Sequence, residues 1–286
     1  MMKADPVTVH SRLSETARAL APYSDSATLD AQTLLAHLSR HPRSWLLGHP
    51  EAPLNETILA RLDAAVERLM GGEPLPYVLG EWEFYGLSFC ISPAVLIPRP
   101  ETELLVERAI RWLEEHPGLR KAADVGTGSG CIAISLAVNV GDLQVSASDV
   151  SPAALEIAEK NAERHRVAER IHFALGDLLK PGEFRFDLIC ANLPYIPTET
   201  LRSLPVYGRE PTLALDGGPD GLAVIRRLLA QAKGKMTPGG LLLAEIEAGQ
   251  GEIAQQAARI EFPQSEISIL PDLSRKDRLL EVLAAA

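Results

Sequence analysis

The apolar positions of this chain follow two different periods. Through the first seventy residues they recur at three- and four-residue spacing. Val9, Leu13, Ala17 and Leu20 form one stripe, and Leu34, Leu35 and Leu38 begin another. The clearest case is Asn55 to Met70, where Ile58, Leu59, Leu62, Ala65, Val66, Leu69 and Met70 fall on one side of a helix. Asn55 suits an N-cap, because its side-chain oxygen can accept from a free first-turn N–H, and Gly71 with Gly72 ends the run. The spacing predicts a small helical bundle that carries no chemical motif.

From Lys121 onward short apolar runs replace the stripes. Strands are predicted over Ala122–Val125, Gln144–Ser148, Ile171–Leu175, Phe186–Ala191, Gly240–Ile246, Ser265–Leu270 and Arg278–Leu283, with helices between most of them. Ser151 before Pro152 is a helix start, a capping hydroxyl followed by a ring that fixes φ for the first turn. Such alternation predicts the α/β class, with a mostly parallel sheet covered on both faces. Between the halves, Pro74, Pro76, Gly80 and Gly86 punctuate the chain. Glu81–Phe84 and Leu87–Ile91 flank Tyr85-Gly86 and read as a hairpin. Pro98 and Pro100 bracket Arg99, and a helix is predicted from about Thr102 to His116. The resulting organisation is a helical domain over 1–72, a hairpin linker over 73–94 and an α/β domain over 95–286.

Composition narrows the choice. The 286 residues suit one large or two modest domains, and 46% hydrophobic with 23% charged residues is ordinary for a globular protein. No apolar run approaches the ~20 residues that cross a bilayer. The first twenty residues interleave Lys3, Asp5, His10, Arg12 and Glu15 with apolar ones, unlike a secretory signal. A net charge of −10 argues against a large sequence-independent hold on nucleic acid, which needs clustered Lys and Arg. Cys90, Cys131 and Cys190 are odd in number and far apart, so neither a disulfide framework nor a metal cluster fits them. Reduced thiols in a cytoplasmic protein without a membrane anchor are expected.

The first candidate site is Asp124 to Gly130, Asp-Val-Gly-Thr-Gly-Ser-Gly, at the hand-over from strand to helix. Gly126, Gly128 and Gly130, with Thr127 and Ser129 between them, let the backbone turn tightly and approach a ligand. A following helix offers free N–H groups to an anion. Phosphate and dinucleotide sites use similar turns, but G-x-G-x-x-G would want Gly or Ala where Cys131 stands. The spacing here is the form more usual for S-adenosyl-L-methionine. Asp149 ends the next strand, where a carboxylate can accept from both ribose hydroxyls. Asp177, after the third strand, is placed to accept from an adenine amine, and Leu178 to pack on its ring.

The second candidate is Asn192-Leu-Pro-Tyr195, directly after the strand Phe186–Ala191 and at the same edge of the sheet. An amide nitrogen is a weak nucleophile because its lone pair is delocalised into the carbonyl. Two acceptors, one for each N–H, would hold it in line with an electrophile. The Asn192 side-chain oxygen suits one position and the Leu193 backbone carbonyl the other. Pro194 confines Leu193 to extended geometry and so aims that carbonyl. Tyr195 suits packing against the planar amide, and Asn192 also sits close enough to the turn to help hold the cofactor.

Taken together these segments are specific. Pro76 to Gly86, Leu96-Ile-Pro-Arg-Pro-Glu-Thr-Glu103, Asp124 to Gly130, Asn192 to Tyr195 and Glu210 to Gly221 resemble the HemK/PrmC family, the peptide chain release factor N(5)-glutamine methyltransferases. The resemblance runs through nearly the whole chain. It implies a Rossmann-like class I methyltransferase domain with a seven-stranded sheet whose last strand is antiparallel. It also implies a helical N-terminal domain that docks the substrate, S-adenosyl-L-methionine as cofactor, and the Gly-Gly-Gln loop of release factors as partner. The family usually has Asn-Pro-Pro-Tyr, and this chain departs from it at Leu193. The resemblance further suggests that Arg99 to Glu103 walls the active site and that Glu210 to Gly221 shapes its mouth. The alternatives are a proline-fixed helix start and a surface loop.

Three rivals keep some of these features. An adenine N6-methyltransferase would use the same Asn-x-Pro-Tyr geometry on nucleic acid, but the acidic balance and the lack of a basic recognition module disfavour it. A glutamine methyltransferase of a ribosomal protein would use identical chemistry. A non-catalytic cofactor-binding module would leave the Asn192 motif without purpose.

Overall fold

The computed structural model describes residues 6–179 and 184–285, which form two compact units that divide between Gly80 and Glu81. The first unit contains α1 (Val9–Leu20), α2 (Ala27–Ser39), α3 (Arg43–Gly48), α4 (Glu56–Met70) and α5 (Leu75–Leu79). Asn55 caps α4 as expected, its side chain accepting from the Ile58 N–H at 2.8 Å. The apolar stripes meet in one core of Val9, Leu20, Leu34, Leu35, Leu46, Leu62, Ala65 and Val66. Met70, the last residue of its stripe, is exposed. Residues 73–80 belong to this unit through α5, which the Pro74-Leu-Pro start makes helical rather than extended.

The second unit opens with a hairpin of β1 (Glu81–Phe84) and β2 (Leu87–Cys90), paired antiparallel about Tyr85-Gly86. Both turn residues have positive φ, 50° and 71°, the combination a two-residue hairpin needs. There follow α6 (Glu103–Glu115), β3 (Lys121–Val125), α7 (Cys131–Asn139), β4 (Gln144–Asp149), α8 (Pro152–Arg164), β5 (Ile171–Leu175), β6 (Phe186–Ala191), α9 (Thr198–Leu201), α10 (Ala223–Ala232), β7 (Met236–Glu245), α11 (Gly251–Glu261), β8 (Glu266–Pro271) and β9 (Asp277–Leu283). Ser151 caps α8 by accepting from the Ala154 N–H.

The seven strands lie in the order β5-β4-β3-β6-β7-β9-β8. β9, the last in the chain, runs antiparallel to both its neighbours, and the other strands are parallel. β7 starts four residues before the predicted Gly240. A shift of register between Phe186 and Leu188 accommodates Pro238-Gly239 within the strand. The order reverses between β3 and β6, so the carboxyl ends of these two neighbouring strands flank the crevice where such sheets bind ligands.

The hairpin is fastened to this sheet by one buried side chain. Asn161, on α8, accepts from the Cys90 N–H at 2.7 Å and donates to the Cys90 and Ser129 carbonyls at 3.1 and 2.9 Å. A buried amide whose three bonds all go to backbone costs little to bury and fixes register. It ties β2 to the glycine turn. The three cysteines are free thiols, and Cys190 is buried. Among the described residues no helix is long and apolar enough to cross a membrane.

Candidate active site

The glycine turn joins β3 to α7. The Gly126 and Thr127 N–H groups donate to the Ser148 carbonyl on β4, at 2.8 and 2.9 Å. These two bonds seat the turn against the neighbouring strand. Gly126 has φ +73°, and a Cβ there would approach the Leu193 Cδ2 to 2.9 Å. The turn and the Asn192 motif are therefore in van der Waals contact, with no room for a side chain between them.

Under the turn lies Asp124, fully buried. Its Oδ2 accepts from the Thr127 hydroxyl at 2.6 Å and from the Ala133 N–H at 3.1 Å, and its Oδ1 has no partner. Burial pushes this carboxyl up to about 6, against which the Thr127 and Ala133 bonds pull back. Burial and the nearby Asp124 push the Cys131 thiol up to about 12, so it stays protonated and is no nucleophile beside a methyl donor.

A cavity of about 260 Å³ opens over this turn. Gly126, Thr127, Gly128 and Ser129 line one side, with Asp149, Asp177 and Leu178 beyond them, and Asn192, Leu193 and Pro194 line another. Two of the expected residues stand outside it. Gly130 caps α7 below the turn. Tyr195 turns its ring onto the apolar core and donates its hydroxyl to Glu245 Oε1 at 3.1 Å.

The residues that line the cavity suit S-adenosyl-L-methionine. Gly128 borders it, and a Cβ added there would meet no protein atom within 4 Å, so the backbone is bare toward the space a ligand would fill. Asp149 accepts from the Gly128 N–H through Oδ2 and from the Ser151 N–H through Oδ1, both at 2.9 Å. These bonds fix the carboxylate, and each oxygen keeps a lone pair for a ribose hydroxyl. Asp177 is ion-paired with Arg227, another residue of the cavity wall, which leaves its second oxygen to accept from an amine. Leu178 is buried, with φ +58°.

Thr102, inside the Arg99 to Glu103 segment, lines the cavity, and Glu245, which sequence reasoning did not single out, stands behind it. Thr102, 1% exposed, accepts from Asn192 Nδ2 at 2.9 Å. Its own hydroxyl donates to Glu245 Oε2 at 2.7 Å. Glu245 ends β7 and is fully buried, and burial raises its carboxyl while the Thr102 and Tyr195 bonds lower it. A signal for Glu245 was present in the sequence, since it is an acid at the end of the apolar run Leu241–Ala244.

The two segments with open readings also meet here. Arg99 is ion-paired with the buried Glu210, which also accepts from the Ile97 N–H at 3.1 Å. The stretch after Glu210 pairs with the chain after Tyr195. Ile196 donates to the Leu215 carbonyl, Gly217 to that of Ile196, and Thr198 Oγ1 to Asp216 at 2.6 Å. Pro98, Pro211, Leu213 and Asp216 line the cavity. The Gln250 side chain, on the loop after β7, donates to the Tyr195 carbonyl at 2.8 Å and holds the motif from behind.

A sheet of this strand order, with its glycine turn and cavity at the reversal, is that of a class I methyltransferase. Solved structures agree on the fold. The hMettl16 catalytic domain in complex with MAT2A 3'UTR hairpin 1 gives a TM-score of 0.57 at 19% identity, covering 89% of this chain and 91% of that one. A methyltransferase from Pyrococcus furiosus gives 0.51 at 16% identity, covering 81% and 100%. Two sequence families match, the PrmC N-terminal domain over residues 12–80 and the methyltransferase small domain over residues 101–202. The release factor glutamine methyltransferase of Moorella thermoacetica is 41% identical over 275 residues, 95% of this chain and 97% of its own. That of Geobacter sulfurreducens is 42% identical over 231 residues, 80% of each chain. The chain belongs to the release factor glutamine methyltransferase family.

Proposed function

We propose that this chain transfers a methyl group from S-adenosyl-L-methionine to the side-chain amide nitrogen of the glutamine in the Gly-Gly-Gln loop of a peptide chain release factor. The observation that carries the reading is that Asn192, Leu193 and Pro194 line the same cavity as the glycine turn and Asp149. Acceptors for an amide and the groups suited to the cofactor share one space. The helical unit docks the protein substrate.

The bound cofactor supplies an electrophilic methyl group on its sulfonium. The chain supplies position. Asn192 Oδ1 and the Leu193 carbonyl each accept one N–H of the substrate amide, which sets the nitrogen lone pair toward the cofactor side of the cavity. No protein donor among the described residues occupies either oxygen. Orientation of this kind is worth ~7–11 kcal/mol of a barrier, and the fixed dipoles add to it where charge develops. The N-methylated amide is positively charged until it loses one N–H proton, and that proton passes to water. Tyr195 does not take it, because burial and Glu245 raise its hydroxyl well above its ordinary value. Its place against Glu245 makes it part of the scaffold that holds the motif.

The test is label transfer from S-adenosyl-L-methionine to a release factor, with mass spectrometry to locate the methyl group. The expected site is the glutamine amide. Asn192→Ala should lower turnover by about 10²–10³-fold, the scale for one fixed dipole removed from a transition state, with cofactor affinity little changed. Methyl transfer to nucleic acid, or to a ribosomal protein in place of the release factor, would replace this reading.

A further inference from the structure

Asn192 can serve as an acceptor only if its amide faces the right way. Its oxygen and nitrogen are nearly the same size, and rotation by 180° about the last side-chain bond exchanges them. In the wrong orientation an NH2 would face the NH2 of a substrate amide, donor against donor, and no lone pair would hold the substrate. Something must select one orientation.

The chain of hydrogen bonds behind Asn192 does this. Glu245 is buried at the end of β7 and receives two hydroxyl donors, Thr102 on Oε2 at 2.7 Å and Tyr195 on Oε1 at 3.1 Å. A carboxylate only accepts, so the Thr102 proton is committed to it. The Thr102 oxygen is then left with lone pairs alone. It can satisfy the Asn192 NH2, at 2.9 Å, and it repels the Asn192 oxygen. Rotating the amide would set two lone pairs against each other in a buried place, where an unmet polar contact costs ~1–3 kcal/mol. That is a bias of roughly five- to 150-fold for one orientation.

We infer that Glu245 and Thr102 are positioning residues for methyl transfer: acting through Asn192, they hold its amide with Oδ1 toward the substrate. The inference rests on the function proposed above. The three residues come from three separate places in the chain, the segment before α6, the end of β6 and the end of β7, so no local motif announces them together. Tyr195 is tied to the same carboxylate, so one buried group fixes both ends of the Asn192–Tyr195 motif.

Thr102→Val removes the hydroxyl at nearly constant shape, and Thr102→Ser restores it. In the full chain, Thr102→Val should lower kcat on a release factor about tenfold or more, with the cofactor Kd and the release-factor KM within about twofold. Thr102→Ser should recover most of the loss, which a packing role would not predict. Glu245→Gln is a second, isosteric variant should Thr102→Val fold poorly. A neutral amide at 245 can offer Thr102 a donor as well as an acceptor, which frees the Thr102 proton to turn toward Asn192. Its kcat should fall severalfold without a change in cofactor Kd. An independent reading comes from the Asn192 side-chain NH2 resonances in 15N-labelled protein, without substrate. They should exchange slowly with solvent in the wild type and in Thr102→Ser, and quickly in Thr102→Val. If Thr102→Val matches wild type in kcat and in NH2 exchange, or Glu245→Gln leaves kcat unchanged, the inference is overturned. If the wild type leaves release-factor glutamine unmethylated, the proposed function fails instead, and the NH2 exchange still decides whether the relay orients Asn192.

Discussion

Arg99 and Glu210, 111 residues apart, form an ion pair beside the cavity, and the Glu210 side chain is only 5% exposed. Glu210 also accepts the Ile97 N–H. One carboxylate therefore holds the segment before α6 to the loop that follows the Asn192 motif. The guanidinium is about a third exposed, so solvent screens part of the attraction. Removing it still strands a buried carboxylate. Arg99→Met should destabilise the protein by about 1–3 kcal/mol, below the range for a fully buried pair. It should also weaken cofactor binding severalfold, because Leu96, Pro98 and Pro211 all line the cavity. Thermal denaturation with and without cofactor checks both. Unchanged values would mean that the pair does not brace the loop beside the cavity.

Asp149→Ala should weaken cofactor binding by about 1.5–3 kcal/mol, the scale for hydrogen bonds to a charged group. The structure adds a second effect of the same sign. The carboxylate also receives the Gly128 and Ser151 N–H groups, so its loss loosens the turn itself. Calorimetric titration should show the loss with the overall fold intact by circular dichroism. An unchanged Kd would remove Asp149 from the site.

Asp124 gives a pH dependence whose sign is opposite to the usual carboxylate. Its folded-state value is about 6, above the ordinary 3.8, because burial disfavours the anion. Below pH ~4 both folded and unfolded states hold the proton. Between ~4 and ~6 only the folded state holds it, so stability falls as pH rises through this window. Two pKa units correspond to up to about 3 kcal/mol. Asp124→Asn keeps an acceptor for Thr127 and Ala133 without a charge to bury. The difference in unfolding free energy between variant and wild type, in cofactor-free protein, should grow in favour of Asn from pH 4 to 7. A constant difference would show that Asp124 does not titrate there.

The two-period pattern carried most of the fold. Asn55, Ser151 and the Tyr85-Gly86 turn act where local chemistry placed them, because caps and tight turns are decided within four residues. The glycine turn and Asn192 motif were legible for a similar reason, since each is a short run with its own backbone demands. The segments Arg99 to Glu103 and Glu210 to Gly221 stood out through the resemblance, but the contacts that join Thr102 to Glu245 and Arg99 to Glu210 were not legible, because they span 143 and 111 residues. Spacing along the chain carries no information about which distant hydroxyl meets which buried acid. Tyr195 shows the same limit: its position in the motif suggested packing on the substrate, whereas its hydroxyl is drawn back by Glu245.

Leu193 is the position where this chain departs from the usual Asn-Pro-Pro-Tyr, and the structure separates its two parts. The backbone carbonyl is proposed to accept from the substrate. The side chain is 4% exposed, packs in the core of the α/β unit and fills the space above Gly126. Leu193→Pro keeps the carbonyl and restores the family residue, so kcat/KM should stay within about tenfold, or ~1.4 kcal/mol. It removes buried methyl groups, so stability should fall by ~1–3 kcal/mol, at the mild end of large-to-small core changes because the ring fills part of the space. Pro194→Ala leaves the packing of Leu193 in place but releases it from the extended region. A displacement of ~1 Å at an acceptor can cost ~10²-fold in rate. The expected result is therefore a crossing of effects, with Leu193→Pro the worse variant for melting temperature and Pro194→Ala the worse for turnover. Both are measured on the same preparations by thermal denaturation and by label transfer to a release factor at saturating cofactor. If Leu193→Pro is the variant that loses turnover while Pro194→Ala keeps it, the carbonyl is not the acceptor. The Leu193 side chain would then act on catalysis through its contact with the glycine turn.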